Sequence, residues 1–235
     1  MRSLIRFISA LAIANVVLGA HHPANGNDHL NSHQNKRPNI IFILTDDQDV
    51  HLNSLDYMPK LKTHMQDQGT TYSRHFCTIA LCCPSRVSLL TGKAAHNTNV
   101  TDVTPPYGGY PKFVAEGLND NYLPLWLQAA GYNTYYTGKI MNSISTTTWN
   151  APYMNGWNTS DLLLDPYTYQ YWNQTFGRNH DEPVNYAGQY STDLVASKAF
   201  GLLDEAVEAG DPFFLGIAPM LNEHYYKRSH APNSC

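Results

Sequence analysis

Two short, uninterrupted apolar runs constrain the fold more than any other feature of this chain. Residues 39–44 read N-I-I-F-I-L and residues 212–218 read P-F-F-L-G-I-A. Continuous runs of this kind, rich in branched and aromatic residues, suit strands buried on both faces. Between them the apolar period changes. In residues 58–68, Met58, Leu61 and Met65 recur at helical spacing before Gly69, and residues 123–130 form a second helical run stopped by Gly131. In residues 191–208, Val195, Ala199, Leu202, Leu203 and Ala206 line one face, with Ser191 or Thr192 as the N-cap and Gly210 as the end. Residues 70–76 and 132–136 read as further strands, and residues 103–112 and 147–183 as loops. Strands alternating with helices, without an internal repeat, predict an α/β fold with a mostly parallel central sheet and helices on both faces.

Length and composition narrow the function. The chain has 235 residues, is 43% apolar and 14% charged, and carries a formal net charge of -4. That is enough for one sizeable core and provides no basic footprint for nucleic acid. Residues 1–20 have the form of a secretory signal: Arg2 and Arg6, an apolar stretch over residues 7–18, then Gly19-Ala20. The apolar stretch is too short to span a bilayer, so no membrane attachment is expected after cleavage. The mature chain is expected to be secreted or held in a lumenal compartment. Residues 21–37 are polar, with four histidines, and read as a disordered lead-in. Sequons at Asn99, Asn158 and Asn173 fit a glycoprotein. The cysteines Cys77, Cys82, Cys83 and Cys235 contain no C-x-x-C pair, which argues against a zinc site.

The stretch A-L-C-C-P-S-R-V-S-L-L-T-G-K, residues 80–93, carries the chemistry. Pro84 is tolerated only in the first turn of a helix, so Cys82 sits at a helix start, where unpaired N–H groups and the positive dipole end favour an anion. Arg86 adds a planar fork of donors in the same turn, and Gly92 closes the helix. Upstream, the 39–44 strand ends in Thr45-Asp46-Asp47-Gln48. Paired carboxylates at the carboxyl end of a buried strand suit a hard divalent cation, calcium or magnesium. An acidic turn facing water is the plainer reading of such a pair. Lys139 follows the 132–136 strand through Thr137-Gly138, where it can neutralise an oxyanion or sit in a surface turn. His96, just past the helix, can act on a substrate or merely hydrogen-bond a loop. Aromatic residues in 147–183, among them Trp157 and Trp172, either rim a site for an aryl or sugar ring or pack beneath the surface.

The spacing C-x-P-S-R-x-x-x-L-T-G resembles the signature of the formylglycine-dependent sulfatases, and the chain from Pro38 to Pro219 is similar to the fungal arylsulfatase and N-acetylglucosamine-6-sulfatase branch. The resemblance implies an alkaline phosphatase-like α/β domain that hydrolyses a small aryl or sugar sulfate ester. By match of motif, Cys82 becomes formylglycine through a formylglycine-generating enzyme and, with Asp46 and Asp47, holds calcium in preference to magnesium. Arg86 and Lys139 take catalytic roles, and His96 is counted with them as a catalytic candidate from its position after the helix. Asn142 stands where relatives often have histidine. Residues 220–235 lack the family's following segment, so His224 takes no role by transfer. The fold is then expected to be incomplete at its C-terminus, and a truncated, inactive secreted glycoprotein is the alternative. A phosphatase on a related fold would call for a serine or threonine nucleophile in place of Cys82.

Overall fold

The computed structural model describes residues 6–10 (backbone only), 37–48, 50–51 and 53–220. In chain order the strands are β1 (Arg6–Ala10), β2 (Ile40–Leu44), β3 (Asn133–Gly138), β4 (Thr159–Leu163), β5 (Thr175–Arg178), β6 (Val184–Asn185) and β7 (Phe213–Ala218). The helices are α1 (Pro59–Leu61), α2 (Cys82–Thr91), α3 (Ala95–Thr98), α4 (Gly109–Ala115), α5 (Leu123–Ala129) and α6 (Ser191–Ala209). The sheet order is β1-β2-β7-β3-β4-β5-β6. From β1 to β4 every neighbouring pair is parallel, and β5 and β6 are added antiparallel.

Alternation along the central strands sorts the core into two layers. On one face Tyr136 of β3, Leu162 of β4 and Phe214 of β7 meet Cys83, Val87 and Leu90 of α2 and Phe113 of α4. On the other face Ile41, Tyr135, Phe213 and Leu215 pack against Leu202 and Ala206 of α6. Helices therefore cover both sides of a mostly parallel sheet, as the alternation of runs predicts. The sheet register also fixes the site. β7 pairs Ile217 with Ile43 of β2 and Ala218 with Gly138 of β3, so the carboxyl ends of all three strands share one edge.

Several elements differ from expectation. Residues 70–76 form no strand: they are exposed throughout, and a run with so little apolar side chain finds no sheet edge to join. Residues 58–68 make a short α1 followed by a wider helical turn, Lys62–Gln66, with no buried residue to hold a regular helix. Within residues 103–112 the second half is helical, because Pro111 falls in the first turn of α4, where no N–H is needed. Residues 147–183 contain β4 and β5. β4 is hidden in sequence because its buried residues include Thr159, Ser160 and Asp161. Tyr190, not Ser191 or Thr192, caps α6. Residues 6–10, inside the expected signal, lie parallel on β2, and signal cleavage would leave β2 at the sheet edge. Residues 21–36 of the lead-in, His224 and Cys235 lie outside the described residues.

Candidate active site

Asp46 sits two residues past the end of β2, and Lys139 one residue past the end of β3. The turn into Lys139 requires Gly138: its φ is +100°, and a Cβ there would stand 2.1 Å from the Ala218 carbonyl oxygen. The Lys139 N–H donates to that same carbonyl at 3.0 Å. α2 supplies the other side of the site. Cys82 begins the helix, Pro84 lies in its first turn, and Gly92 at φ +65° closes it by donating to the Ser88 carbonyl at 2.9 Å.

The three elements meet at the Asp46 carboxylate. One oxygen accepts from Arg86 Nη2 at 2.7 Å and the other from Lys139 Nζ at 2.7 Å. Asp46 and Arg86 are each 4% exposed and Lys139 is fully buried, so this is an interior ion triad and not a surface pair. Burial alone would push the Asp46 pKa up. The Arg86 and Lys139 charges and their hydrogen bonds outweigh that and hold it below 3.8. Burial likewise opposes the Arg86 charge, and Asp46 restores it, leaving the guanidinium pKa raised. Arg86 Nη1 also donates to the Lys139 carbonyl, which accepts a second bond from the Tyr136 hydroxyl at 2.9 Å. Lys139 Nζ lies 4.6 Å from the centroid of the Tyr169 ring, whose hydroxyl accepts from Asn142 Nδ2 at 2.7 Å.

Asp46, Asp47 and Cys82 offer ligand atoms that all lie within 4.8 Å of one another. Asp47 is exposed and adopts φ +49°, a left-handed conformation that aspartate tolerates better than most residues. Cys82 is 8% exposed. Its neighbour Cys83 points into the α2 core, where burial pushes the thiol up to about 11 despite backbone hydrogen bonds from Gly109 and Asn142. Adjacent cysteines on one helix turn thus have opposite roles, one in the site and one in the core.

Five of the residues singled out in sequence, Asp46, Asp47, Cys82, Arg86 and Lys139, converge on this point. His96 does not join them: it is exposed on α3, and no hydrogen bond or ion pair links it to the triad. Sequence reasoning missed Tyr136, which sits inside a strand pattern. It also missed Tyr169, for which the dense aromatic run Y-T-Y-Q-Y-W was the one available signal. Trp157 packs in the core, whereas Trp172 is 61% exposed.

Comparison with known proteins identifies what the chain is similar to. The sulfatase family model matches residues 38–234, running past Pro219. An arylsulfatase of Volvox carteri is 46% identical over 188 residues, covering 79% of this chain and 29% of that protein. An N-acetylglucosamine-6-sulfatase of Homo sapiens is 34% identical over 195 residues, covering 78% of this chain and 34% of that protein. Among solved structures, one in complex with its substrate D-glucosamine-2-N,6-O-disulfate aligns with a TM-score of 0.61 at 24% identity, covering 81% of this chain and 35% of its own. The chain therefore spans about a third of the length of these relatives.

Proposed function

Since the chain belongs to the sulfatase family, we propose that it carries the front part of a sulfuric ester hydrolase site, centred on Cys82 and the Asp46–Arg86–Lys139 triad. The observation that carries this reading is the Asp46 carboxylate clamped between two buried cations at 2.7 Å each, with Asp47 and Cys82 alongside.

The residues fit a divalent cation. Two carboxylates are hard oxygen donors of the kind calcium takes, with magnesium the weaker fit because it demands tighter octahedral geometry. The Cys82 thiol is a poor partner for such an ion, and a formylglycine made from it would replace sulfur with oxygen donors. When present, the calcium supplies positive charge for an oxyanion and the hydrated aldehyde supplies an oxygen nucleophile for sulfur. The other contributions come from the chain itself. Asp46 and Asp47 carry two negative charges and Arg86 and Lys139 two positive ones, so the cluster is neutral and has little net pull on an anion. Loading a divalent ion makes it a doubly positive, largely buried site, matched to a sulfate ester. Asp46 orients both cations and keeps them charged. Arg86 and Lys139 retain donors beyond those engaged with Asp46 and can direct them to sulfate oxygens. The N-terminus of α2, which begins at Cys82, adds the positive end of the helix dipole. Tyr169 and Tyr136 hold Lys139 against drift. His96, exposed on α3, is assigned no step here.

Substrates are small aryl or sugar sulfates, as the names of the relatives suggest, and the maturation partner is a formylglycine-generating enzyme. Secretion follows from the signal-like N-terminus and agrees with the extracellular sulfatases among the relatives. Mass analysis of the peptide bearing Cys82, together with turnover of 4-nitrophenyl sulfate against 4-nitrophenyl phosphate, tests the proposal. An aldehyde at position 82 with sulfate-selective hydrolysis is expected. An unmodified thiol in an active preparation, or preference for the phosphate, overturns it.

A further inference from the structure

We propose that Trp172 and Tyr190 form a stacking platform for the sugar ring of a carbohydrate sulfate, beside the Asp46–Lys139 cluster; the inference rests on the sulfate-ester reading above. Aromatic residues follow one another along the loop that leaves the triad. The Tyr169 ring lies under Lys139 Nζ. Two residues on, Tyr171 stacks on Tyr190 at 6.2 Å and 22°, and Trp172 lies against Tyr190 at 5.3 Å and 41°. Tyr171 is within the field of Asp46: burial is the main cause of its raised hydroxyl pKa, and the Tyr190 and Asp46 charges add to it.

The platform is pinned by backbone. Ser191 N–H donates to the Tyr171 carbonyl at 2.9 Å and Gly188 N–H to the Trp172 carbonyl at 2.7 Å, which ties the loop to the start of α6. Its outer rings are nevertheless open, Trp172 at 61% and Tyr190 at 38%. An indole braced by Tyr190 and left largely in water, on the loop whose Tyr169 touches Lys139, points to a ligand that stacks there.

The chemistry favours a sugar over an aryl group. A phenyl ring gains most from enclosure, and an indole this open encloses nothing. A pyranose lays its C–H face on the ring and keeps its hydroxyls in water and toward polar neighbours. The exposed amide of Gln170, whose oxygen accepts from Asn173 Nδ2 at 3.0 Å, supplies such a neighbour at the rim.

The test is binding to the full chain in calcium-containing buffer, measured by calorimetry, with three probes: inorganic sulfate, a 6-sulfated glucosamine disaccharide and 4-nitrophenyl sulfate. Trp172→Ala is expected to weaken the sugar sulfate about three- to tenfold while leaving inorganic sulfate unchanged, with Trp172→Phe restoring most of the loss. Tyr190→Ala should act in the same direction. An effect of Trp172→Ala below twofold on the sugar, with inorganic sulfate still bound, refutes the platform and leaves the sulfate site standing. Equal losses for the sugar and aryl probes refute the sugar assignment. Failure of the wild-type chain to bind inorganic sulfate or the sugar sulfate refutes the sulfate-ester reading, and the platform with it.

Discussion

Replacing Asp46 with asparagine removes the buried negative charge that is paired with two buried cations. Arg86 is 4% exposed and Lys139 fully buried, and both donate to Asp46 at 2.7 Å. An asparagine preserves the shape and one acceptor but leaves two like charges in the same interior. Breaking a buried pair by deleting one partner costs about 3–5 kcal/mol, because the remaining charge stays desolvated. Here two charges are orphaned, so Asp46→Asn is expected at or above the upper end of that range. Against a typical total of about 5–15 kcal/mol, this is a large fraction of the fold's stability. Urea unfolding followed by tryptophan fluorescence, in chelator so that no cation contributes, measures it. Asp46→Asn combined with Lys139→Met should be less destabilised than Asp46→Asn alone, since the second change removes one orphaned charge. The pH dependence has a definite sign. The Asp46 pKa is lowered from 3.8, so its stabilisation is fully present above pH 3.8 and is lost as the pH falls through the lower folded value. The gap between wild type and Asp46→Asn should therefore close in strong acid. A cost below about 1 kcal/mol at neutral pH, or a double mutant no better than the single, would refute the reading of Asp46 as the clamp on both cations.

Gly138→Ala should destabilise by about 2–4 kcal/mol and displace Lys139, because a Cβ would collide with the Ala218 carbonyl at 2.1 Å and φ is +100°; thermal unfolding reads the stability loss. Cys83 should resist maleimide at pH 8 in the folded protein, when exposed Cys77 can serve as the labelling control. Its thiol is raised from 9.0 to about 11, so its contribution is full below pH 9 and lost as the pH rises through 11, about 2–3 kcal/mol in all. Cys83→Ser should flatten that alkaline loss in a pH-dependent unfolding series. Asn99 and Asn158 are both exposed sequons, but Asn99 bonds outward, to Glu116 at 2.7 Å, whereas Asn158 Oδ1 accepts from the Thr134 N–H at 2.8 Å and from Gln128 at 3.1 Å. Asn99→Gln should remove one glycan's mass from protein made in a secretory host, while Asn158→Gln should lower the melting temperature.

Much of the fold and most of the site can be read from the sequence because their signals are local. β2 and β7 are continuous apolar runs, α6 has a sustained helical period, and the Cys82–Gly92 segment places proline, arginine and glycine where a helix start and stop require them. The charged groups at strand ends follow from chain order, since parallel strands present their carboxyl ends together. What sequence does not contain is which distant groups satisfy each other. The bond from Lys139 to Asp46 spans 93 positions, and no periodicity encodes it. β4 escapes notice because its buried residues include threonine, serine and aspartate, whose burial is tolerable only once hydrogen-bond partners arrive from elsewhere; Asp161, for example, is bound by Lys198 of α6 at 2.8 Å. Residues 70–76 show the converse, a strand-like run left exposed because it has too little apolar side chain to bury. The sequence alone thus determined which residues could build an anion site. Only tertiary packing decided that Asp46 holds both cations, that His96 stays outside the triad, and that Trp172 faces water while Trp157 does not, because desolvation and pairing are properties of the assembled interior.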